Sequence, residues 1–169
     1  RRIARETVHH ALRGVVEHAL QHSAAYQPLR RKKGESVKAL LRRSLLPTLN
    51  AVESSERGAL AQLILSEGRH VPELARLYKE LAFDAWQQHV QDLLQLAVDE
   101  GELQTDSVSR SAQLLASPFW MGMVHNGLLI TDRRQQLPIR PLVEHLIESL
   151  FAARAVDNGV VNKTREPKS

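Results

Sequence analysis

The chain has 169 residues, 43% of them hydrophobic and 25% charged, which is the composition of a globular domain that can bury its own core. The absence of cysteine excludes disulfides, thiolate metal sites and a cysteine nucleophile. No apolar run approaches the length of a membrane span, so we expect no membrane-spanning segment and no membrane partner.

The positive charge is concentrated at one end. Residues 1–43 contain eleven Lys or Arg and three acids, whereas the net charge of the whole chain is only +4. A basic end on a mildly acidic body favours contact with something anionic. The alternative is that the basic run at 29–33 is only a solvated loop.

Apolar residues recur at three- and four-residue steps through most of the chain, which predicts helices and no sheet. A first helix is predicted within residues 1–23. Ser36 is expected to cap the second helix, and Pro47 to kink or break it because proline lacks the N–H of the helical ladder. A short third helix is predicted to restart at 54–55 and to end at Gly68.

The longest predicted helix runs from Pro72 to Gly101, which corresponds to about 45 Å at the helical rise of 1.5 Å per residue. Asp106 is expected to cap the next helix, in which Pro118 predicts a bend. A last helix is predicted to start near Pro138. The fold class is therefore all-α, with a bundle of about six helices.

The sequence carries no recognisable catalytic motif. There is no glycine-rich phosphate loop and no nucleophile elbow, and the acids fall mostly on expected solvent faces. We therefore predict no enzyme activity, no catalytic residue and no cofactor. Among the eight histidines, His18 and His22 have the i, i+4 spacing of a metal-binding pair. No acid completes a metal motif with them, so no metal site is predicted.

Aromatic, methionine and histidine side chains cluster after Pro118 and in the middle of the longest predicted helix. Such groups combine an apolar body with a polar or polarisable part, which suits a pocket for a largely apolar ligand. The alternative is that they are simply core or interface residues, and Trp120 and Met121 cannot point the same way. The candidate ligand-binding residues are Phe83, Trp86, His89, Trp120, Met121 and His125.

The last two helices each carry a face too apolar to leave in water. They could form half of a four-helix bundle across a two-fold axis, or they could pack wholly within one chain. The candidate dimer-interface residues are Leu114, Phe119, Met123, Leu142, Leu146 and Leu150.

Two segments resemble a known family. Residues 63–78, with the sequence LILSEGRHVPELARLY, resemble the central stretch of tetracycline-repressor (TetR) family regulators. Residues 98–103, VDEGEL, resemble the usual end of that family's long helix. The resemblance covers about residues 7–153, but the family's N-terminal helix-turn-helix unit has no counterpart, and the helix at 1–23 resembles the one that follows that unit.

The resemblance implies a homodimeric, ligand-responsive regulator, a repressor in a bacterial cytoplasm. Residues 1–156 would form its ligand-binding and dimerisation domain, and residues 157–169 a flexible tail. A small, largely apolar effector would alter operator DNA binding through an N-terminal domain missing here, with the basic residues 1–43 nearest the DNA phosphates. The alternatives are a helical adaptor without a small-molecule ligand and a small helical enzyme or lipid-handling domain.

Overall fold

The computed structural model describes residues 10–11, 13–18, 29–54, 56–130 and 132–160, and all regular structure in these ranges is helical. The all-α fold predicted from the sequence is thereby confirmed. A helical segment at 13–18 precedes six helices. These are α1 (Val37–Ser54), α2 (Glu56–Glu67), α3 (Pro72–Tyr78), α4 (Ala85–Asp99), α5 (Val108–Val124) and α6 (Ile139–Val160).

Four of the helices form a closed ring. Helix α4 packs against α1 and α5, and α6 packs against the same two helices from the other side. The side chains that point into the ring form a core cluster, here called cluster one. Its large, fully buried members are Val37, Leu41 and Leu45 from α1, Val90 and Leu94 from α4, Leu115 from α5, and Val143 and Ile147 from α6.

A smaller core, cluster two, lies where α2 and α3 meet the end of α5. Its buried residues are Val16, Leu60, Leu74, Tyr78, Ala82 and Met123. Trp120 packs against both clusters, and among the partly buried apolar residues of the described part of the chain it is the only one that does so. The interior of the domain is therefore divided, with one indole at the division.

The long helix predicted from Pro72 has the expected extent but not the expected regularity. Helices α3 and α4 are joined by a π-helical segment, Lys79–Asp84, so the helical path runs from Pro72 to Asp99. A π segment fits extra residues into the path and rotates the faces on its two sides relative to each other. The sequence periodicity does not reveal it, because three- and four-residue steps tolerate such an insertion.

The long helix ends in a Schellman turn. Gly101 adopts a φ of +70°, the left-handed conformation that glycine accepts without strain. The N–H of Glu102 donates to the carbonyl of Ala97 at 2.7 Å, and that of Gly101 to the carbonyl of Val98 at 2.9 Å. Leu103 then enters cluster one with 3% of its surface exposed. The G-E-L sequence therefore stops the helix and returns the chain to the core.

The two predicted helix caps have different outcomes. Ser36 caps α1 as expected, since its Oγ accepts from the N–H of Ala39 at 3.1 Å. The cap of α5 is Ser107 rather than Asp106, because the Ser107 hydroxyl accepts from the N–H of Arg110. Asp106 instead forms an ion pair with the Arg110 guanidinium at 2.8 Å.

Neither internal proline ends its helix. Helix α1 continues past Pro47 to Ser54, and α5 continues past Pro118 to Val124. Of the kink or break expected at Pro47, the break does not occur. Packing of both helices in the ring outweighs the local cost of a missing N–H, a common outcome for proline in packed helices.

The ends of the chain are only partly described. Helix α6 reaches Val160, so the tail predicted to start at 157 overlaps its end. The remainder of the predicted tail, 161–169, and most of the predicted helix at 1–23 lie outside the described residues. In the part of the chain that is described, every helix falls short of the length and apolar content needed to cross a membrane.

Candidate functional site

Two pairs of aromatic rings lie between α5 and the helical path through the π segment and α4, and the four residues are here called the aromatic seam (Phe83, Trp86, Phe119 and Trp120). Trp86 meets Phe119 edge-on, with ring centroids 5.1 Å apart and planes inclined at 64°. Phe83 and Trp120 lie 5.4 Å apart with planes inclined at 56°. Tilted pairs at these distances are the favoured geometry for aromatic side chains.

Three of the candidate ligand residues lie in this seam, but their surroundings differ. Trp86 is 7% exposed and belongs to cluster one, where it serves as a core residue. Phe83 and Trp120 are half-buried. Phe83 belongs to the π segment before α4, and a second π segment, His125–Leu129, begins at the end of α5 beyond Trp120. Because π segments often mark functional sites, the half-buried end of the seam is the best candidate site.

His89 lies one turn from Trp86, but its ring is already engaged. Its Nε2 is 2.9 Å from the Ser44 hydroxyl on α1, which is 7% exposed. This hydrogen bond ties α4 to α1. Ligand contact at His89 remains a prediction, and a ligand there would have to displace or share Ser44.

The remaining two candidates lie apart from the seam. Met121 is 44% exposed, and it points away from Trp120 as their spacing requires. His125 Nδ1 lies 3.1 Å from Asn126 Oδ1. The Asn126 amide binds the backbone of Leu137 twice, as acceptor at 2.8 Å and as donor at 3.0 Å, and so fastens the end of α5 to the following connector. The structure therefore brings Phe83, Trp86 and Trp120 together, and not Met121.

A buried glutamine beside the seam was missed by the sequence analysis. Gln87 is 8% exposed, and neither Nε2 nor Oε1 has a hydrogen-bond partner within the described part of the chain. Buried amides are almost always paired, so an unpaired one calls for a functional explanation. The sequence signal was available: Gln87 is three residues before Val90 and seven before Leu94, on the apolar side of α4.

The described residues also line two clefts, neither of which contains a candidate ligand residue. One is a groove of about 560 Å³ between the helical segment at 13–18 and α2, lined mainly by Ala11, Val15, Leu60 and Leu63. The other is a polar cleft of about 660 Å³ around residues 31–36 and Glu102. No group of three or more potential metal ligands occurs among the residues described, and His22 of the His18 pair lies outside them.

The basic end of the chain binds acids from distant parts of the same chain. Arg31 Nη2 donates to Glu100 Oε2 at 2.8 Å and lies 3.6 Å from Glu102. The hydrogen bond from Arg31 holds the pKa of Glu100 below its usual value. Arg43 forms a two-pronged contact with Glu35, with Nε and Nη2 2.9 and 2.8 Å from its oxygens. That hydrogen bonding, with the backbone N–H of Lys32, lowers the pKa of Glu35 to about 2.

Two further bases join α1 to α6. Lys38 and Arg42 both bind Glu148, Arg42 at 3.1 Å, and the hydrogen bond from Lys38 lowers the pKa of Glu148. Four positively charged side chains of the basic end thus form ion pairs with acids of the same chain: Arg31, Lys38, Arg42 and Arg43. Internal pairing is thus a third arrangement, beside the anionic partner and the solvated loop considered from the sequence.

The candidate dimer residues do not share one surface. Leu114 on α5 is 53% exposed and Leu142 on α6 is 36% exposed. Phe119, Leu146 and Leu150 are half-buried against cluster one. Met123 lies inside cluster two at 9% exposure and so cannot reach another copy. Exposed apolar residues that the prediction omitted, Met121 and Val124, lie seven and ten positions after Leu114, on the same side of α5.

Comparison with known proteins gives one match. A family profile described as "Tetracyclin repressor-like, C-terminal domain" matches residues 34–140, which is more than half of the chain. No curated protein and no solved structure matched the chain. The matched range covers α1 to α5 and the start of α6, and it includes both segments in which the sequence resembled the family.

Proposed function

The chain belongs to the tetracyclin repressor-like C-terminal domain family, and from that premise we propose that it is the effector-binding and dimerisation part of a transcriptional repressor. In this proposal it acts in the cytoplasm and controls a DNA-binding domain on its N-terminal side. Regulation, rather than catalysis, is the role of the family. A small, largely apolar effector bound by the chain would change the affinity for operator DNA.

The division of the core at Trp120 is the main support for the effector proposal. Clusters one and two both pack against this half-buried indole. A small apolar molecule lying against Trp120 and Phe83 would touch both clusters and change how they fit together. An effector can shift a conformational equilibrium only if it binds the two states unequally, and a ligand between two packing units would do so where the units fit together differently in the two states.

The apolar outer surface of α5 and α6 supports dimerisation. We define the outer stripe as Leu114, Met121, Val124 and Leu142, all between 36% and 53% exposed. Exposed apolar residues on the outside of two helices that pack together favour an interface with another protein. In a two-fold dimer, this stripe and its copy would meet, and α5 and α6 of both subunits would form a four-helix contact.

A thermal-shift screen tests effector binding on the chain itself. A panel of hydrophobic drugs, dyes and acyl compounds should include some that raise the melting temperature. At a concentration 100 times the dissociation constant, binding adds about 2.7 kcal/mol, which is a shift of several degrees for a domain of this size. In the protein that carries the DNA-binding domain, the same compounds should change operator affinity, since the coupling is reciprocal.

A matched pair of variants locates the effector. Trp120→Leu should reduce the shift, whereas Phe151→Leu, at a half-buried ring beside cluster one under Lys38, should leave it as in wild type. Trp86→Ala is unsuitable, because removing a buried indole costs about 3–5 kcal/mol and unfolds part of the chain. If no compound shifts the melting temperature, the effector proposal fails.

A further inference from the structure

Gln87 stands apart from the other buried polar residues. Three polar side chains are buried among the described residues: Ser44, Gln87 and Ser111. Ser44 binds His89 at 2.9 Å, and Ser111 binds the Thr105 hydroxyl at 2.9 Å. The amide of Gln87 has lost its water on both Nε2 and Oε1 and has gained no partner within the described residues. This desolvation is uncompensated in the protein alone.

The position of Gln87 on α4 places it at the candidate site. It follows Trp86 directly and lies one turn beyond Phe83, so it is next to the aromatic seam. By the 100° step of an α-helix, it lies at one edge of the buried arc that Val90 and Leu94 occupy. His89, which binds Ser44, lies at the opposite edge. The amide is thus on the side of α4 that is not engaged with Ser44.

A second copy of the chain cannot supply the missing partner. Both amide atoms are inaccessible to solvent within a single subunit, so a group on another subunit cannot reach them without opening the core. The partner must come from inside the domain. A small molecule that enters beside half-buried Phe83, one turn before Gln87, would have to move the side chains that cover the amide, and it would then supply the partner.

We propose that Gln87 is the polar anchor of the effector site, and that the effector is a neutral aromatic molecule with a hydrogen-bond donor and acceptor side by side, as in a lactam or carboxamide. The inference rests on the proposed effector function. A primary amide presents one donor and one acceptor along a single edge, so an edge of the opposite order pairs with it twice. Because no ionised side chain is buried among the described residues, a charged group would have no counter-charge there.

The test compares three probes of similar shape. 2-Quinolone has the lactam edge, N-methyl-2-quinolone lacks its donor, and naphthalene lacks both donor and acceptor. Calorimetric titration of the 169-residue chain should give a dissociation constant for 2-quinolone about tenfold or more below those of the other two, since each net hydrogen bond contributes close to that factor. The three probes differ in the hydrogen-bonding edge of the ligand and are all tested on the wild-type protein. This comparison therefore does not require that any protein variant folds.

Protein variants then test whether Gln87 is the side chain that binds the lactam edge of 2-quinolone. Gln87→Met should weaken 2-quinolone binding about tenfold and leave naphthalene binding unchanged. Without ligand it should melt at or above the wild-type temperature, because it removes an unpaired buried amide. The control is Gln88→Met one position later, where the exposed amide binds Asp92 at 2.8 Å, and 2-quinolone binding should be as in wild type. Gln87→Leu is a second variant should the methionine side chain disturb the core.

The outcomes separate this inference from the function on which it rests. Equal affinities of wild type for 2-quinolone and naphthalene would overturn the role of Gln87 but leave an apolar effector pocket in place. Equal 2-quinolone affinities of wild type and Gln87→Met would also overturn it. No binding of any probe to wild type would count against both the anchor and the pocket.

Discussion

The carboxylate of Glu102 accepts the backbone N–H of Val37 at 2.9 Å, and its second oxygen accepts that of Lys38 at 3.1 Å. With Ser36, which accepts from Ala39, it satisfies the first three N–H groups of α1. A residue of the Schellman turn that ends α4 therefore caps a helix that begins 65 positions earlier in the chain. A negative charge at this position also complements the helix dipole.

Replacing Glu102 should destabilise the domain. Glu102→Ala removes an acceptor from two backbone donors, and loss of a helix cap typically costs about 1–2 kcal/mol. Urea denaturation followed by circular dichroism measures the free energy of unfolding. Glu100→Ala is the control, because it removes only a partly exposed ion pair with Arg31, worth about 0–1 kcal/mol. Equal losses in the two variants would contradict the capping role.

The Glu35–Arg43 pair should make stability depend on pH. The pKa of Glu35 is about 2 in the folded chain, below its ordinary value of 4.5. A lowered folded-state pKa stabilises the protein above the unfolded value, and this contribution is lost as the pH falls from 4.5 towards 2. The difference in free energy of unfolding between wild type and Glu35→Gln should therefore shrink over that interval.

Substitution of Arg43 tests its role as the partner of Glu35. Arg43→Met removes the main donor to Glu35, so adding Glu35→Gln to it should have little further effect on the acid limb of the stability curve. Urea denaturation at several pH values between about 6 and 2 provides the comparison. A difference between wild type and Glu35→Gln that does not change with pH would contradict the lowered pKa.

Gly122 on α5 lies directly against the side chain of Ile139 on α6. A Cβ at this position would lie 2.7 Å from Cγ1 and 2.9 Å from Cδ1 of Ile139. Gly122→Ala should therefore force α6 outward or Ile139 into another rotamer, at a cost of about 1–3 kcal/mol. Thermal unfolding measures the loss.

Gly14→Ala is the matched control for Gly122. A Cβ on Gly14 meets nothing within 4 Å, so the helical segment at 13–18 should gain up to about 1 kcal/mol from the better helix former. The two substitutions are chemically identical and should change stability in opposite directions. If Gly122→Ala is as stable as wild type, α5 and α6 are not in the close contact described.

The outer stripe predicts the oligomeric state. Light scattering after size exclusion should give twice the chain mass of 19.0 kDa for the wild type. The double variant Leu114→Glu with Met121→Glu should elute as a monomer, because burying two carboxylates in an apolar interface costs several kcal/mol. Leu63→Glu is the control, since Leu63 is 45% exposed on α2, and it should remain dimeric. A wild-type monomer would contradict dimerisation.

Helical periodicity in the sequence predicted much of the fold. The spacing of Leu41, Leu45, Val90 and Leu94 places them on inward faces, and these residues do form cluster one. Ser36 was recognisable as a cap because the signal is local. Contacts between residues far apart in sequence carry no such signal. Nothing near Glu102 indicates that its carboxylate binds the start of α1, and the pairing of Lys38 with Glu148 is equally hidden.

The candidate site was predicted only in part, and the reasons are physical. Aromatic residues on facing helices were expected to gather, and Phe83, Trp86 and Trp120 do so. Burial separates Trp86 in the core from half-buried Trp120, and sequence spacing cannot distinguish the two. Gln87 was overlooked because a polar residue in an amphipathic pattern is ordinarily assigned to solvent. Its spacing of three residues before Val90 and seven before Leu94 nevertheless places it on the apolar side of α4.

The meeting of both clusters at Trp120 has a consequence for local unfolding. Groups of side chains that share few contacts tend to open as separate cooperative units. Amide hydrogen exchange in α3 should then report on cluster two, and exchange in α6 on cluster one, with different opening free energies. Any molecule that fastens the indole in place would link the two units and bring their exchange rates together.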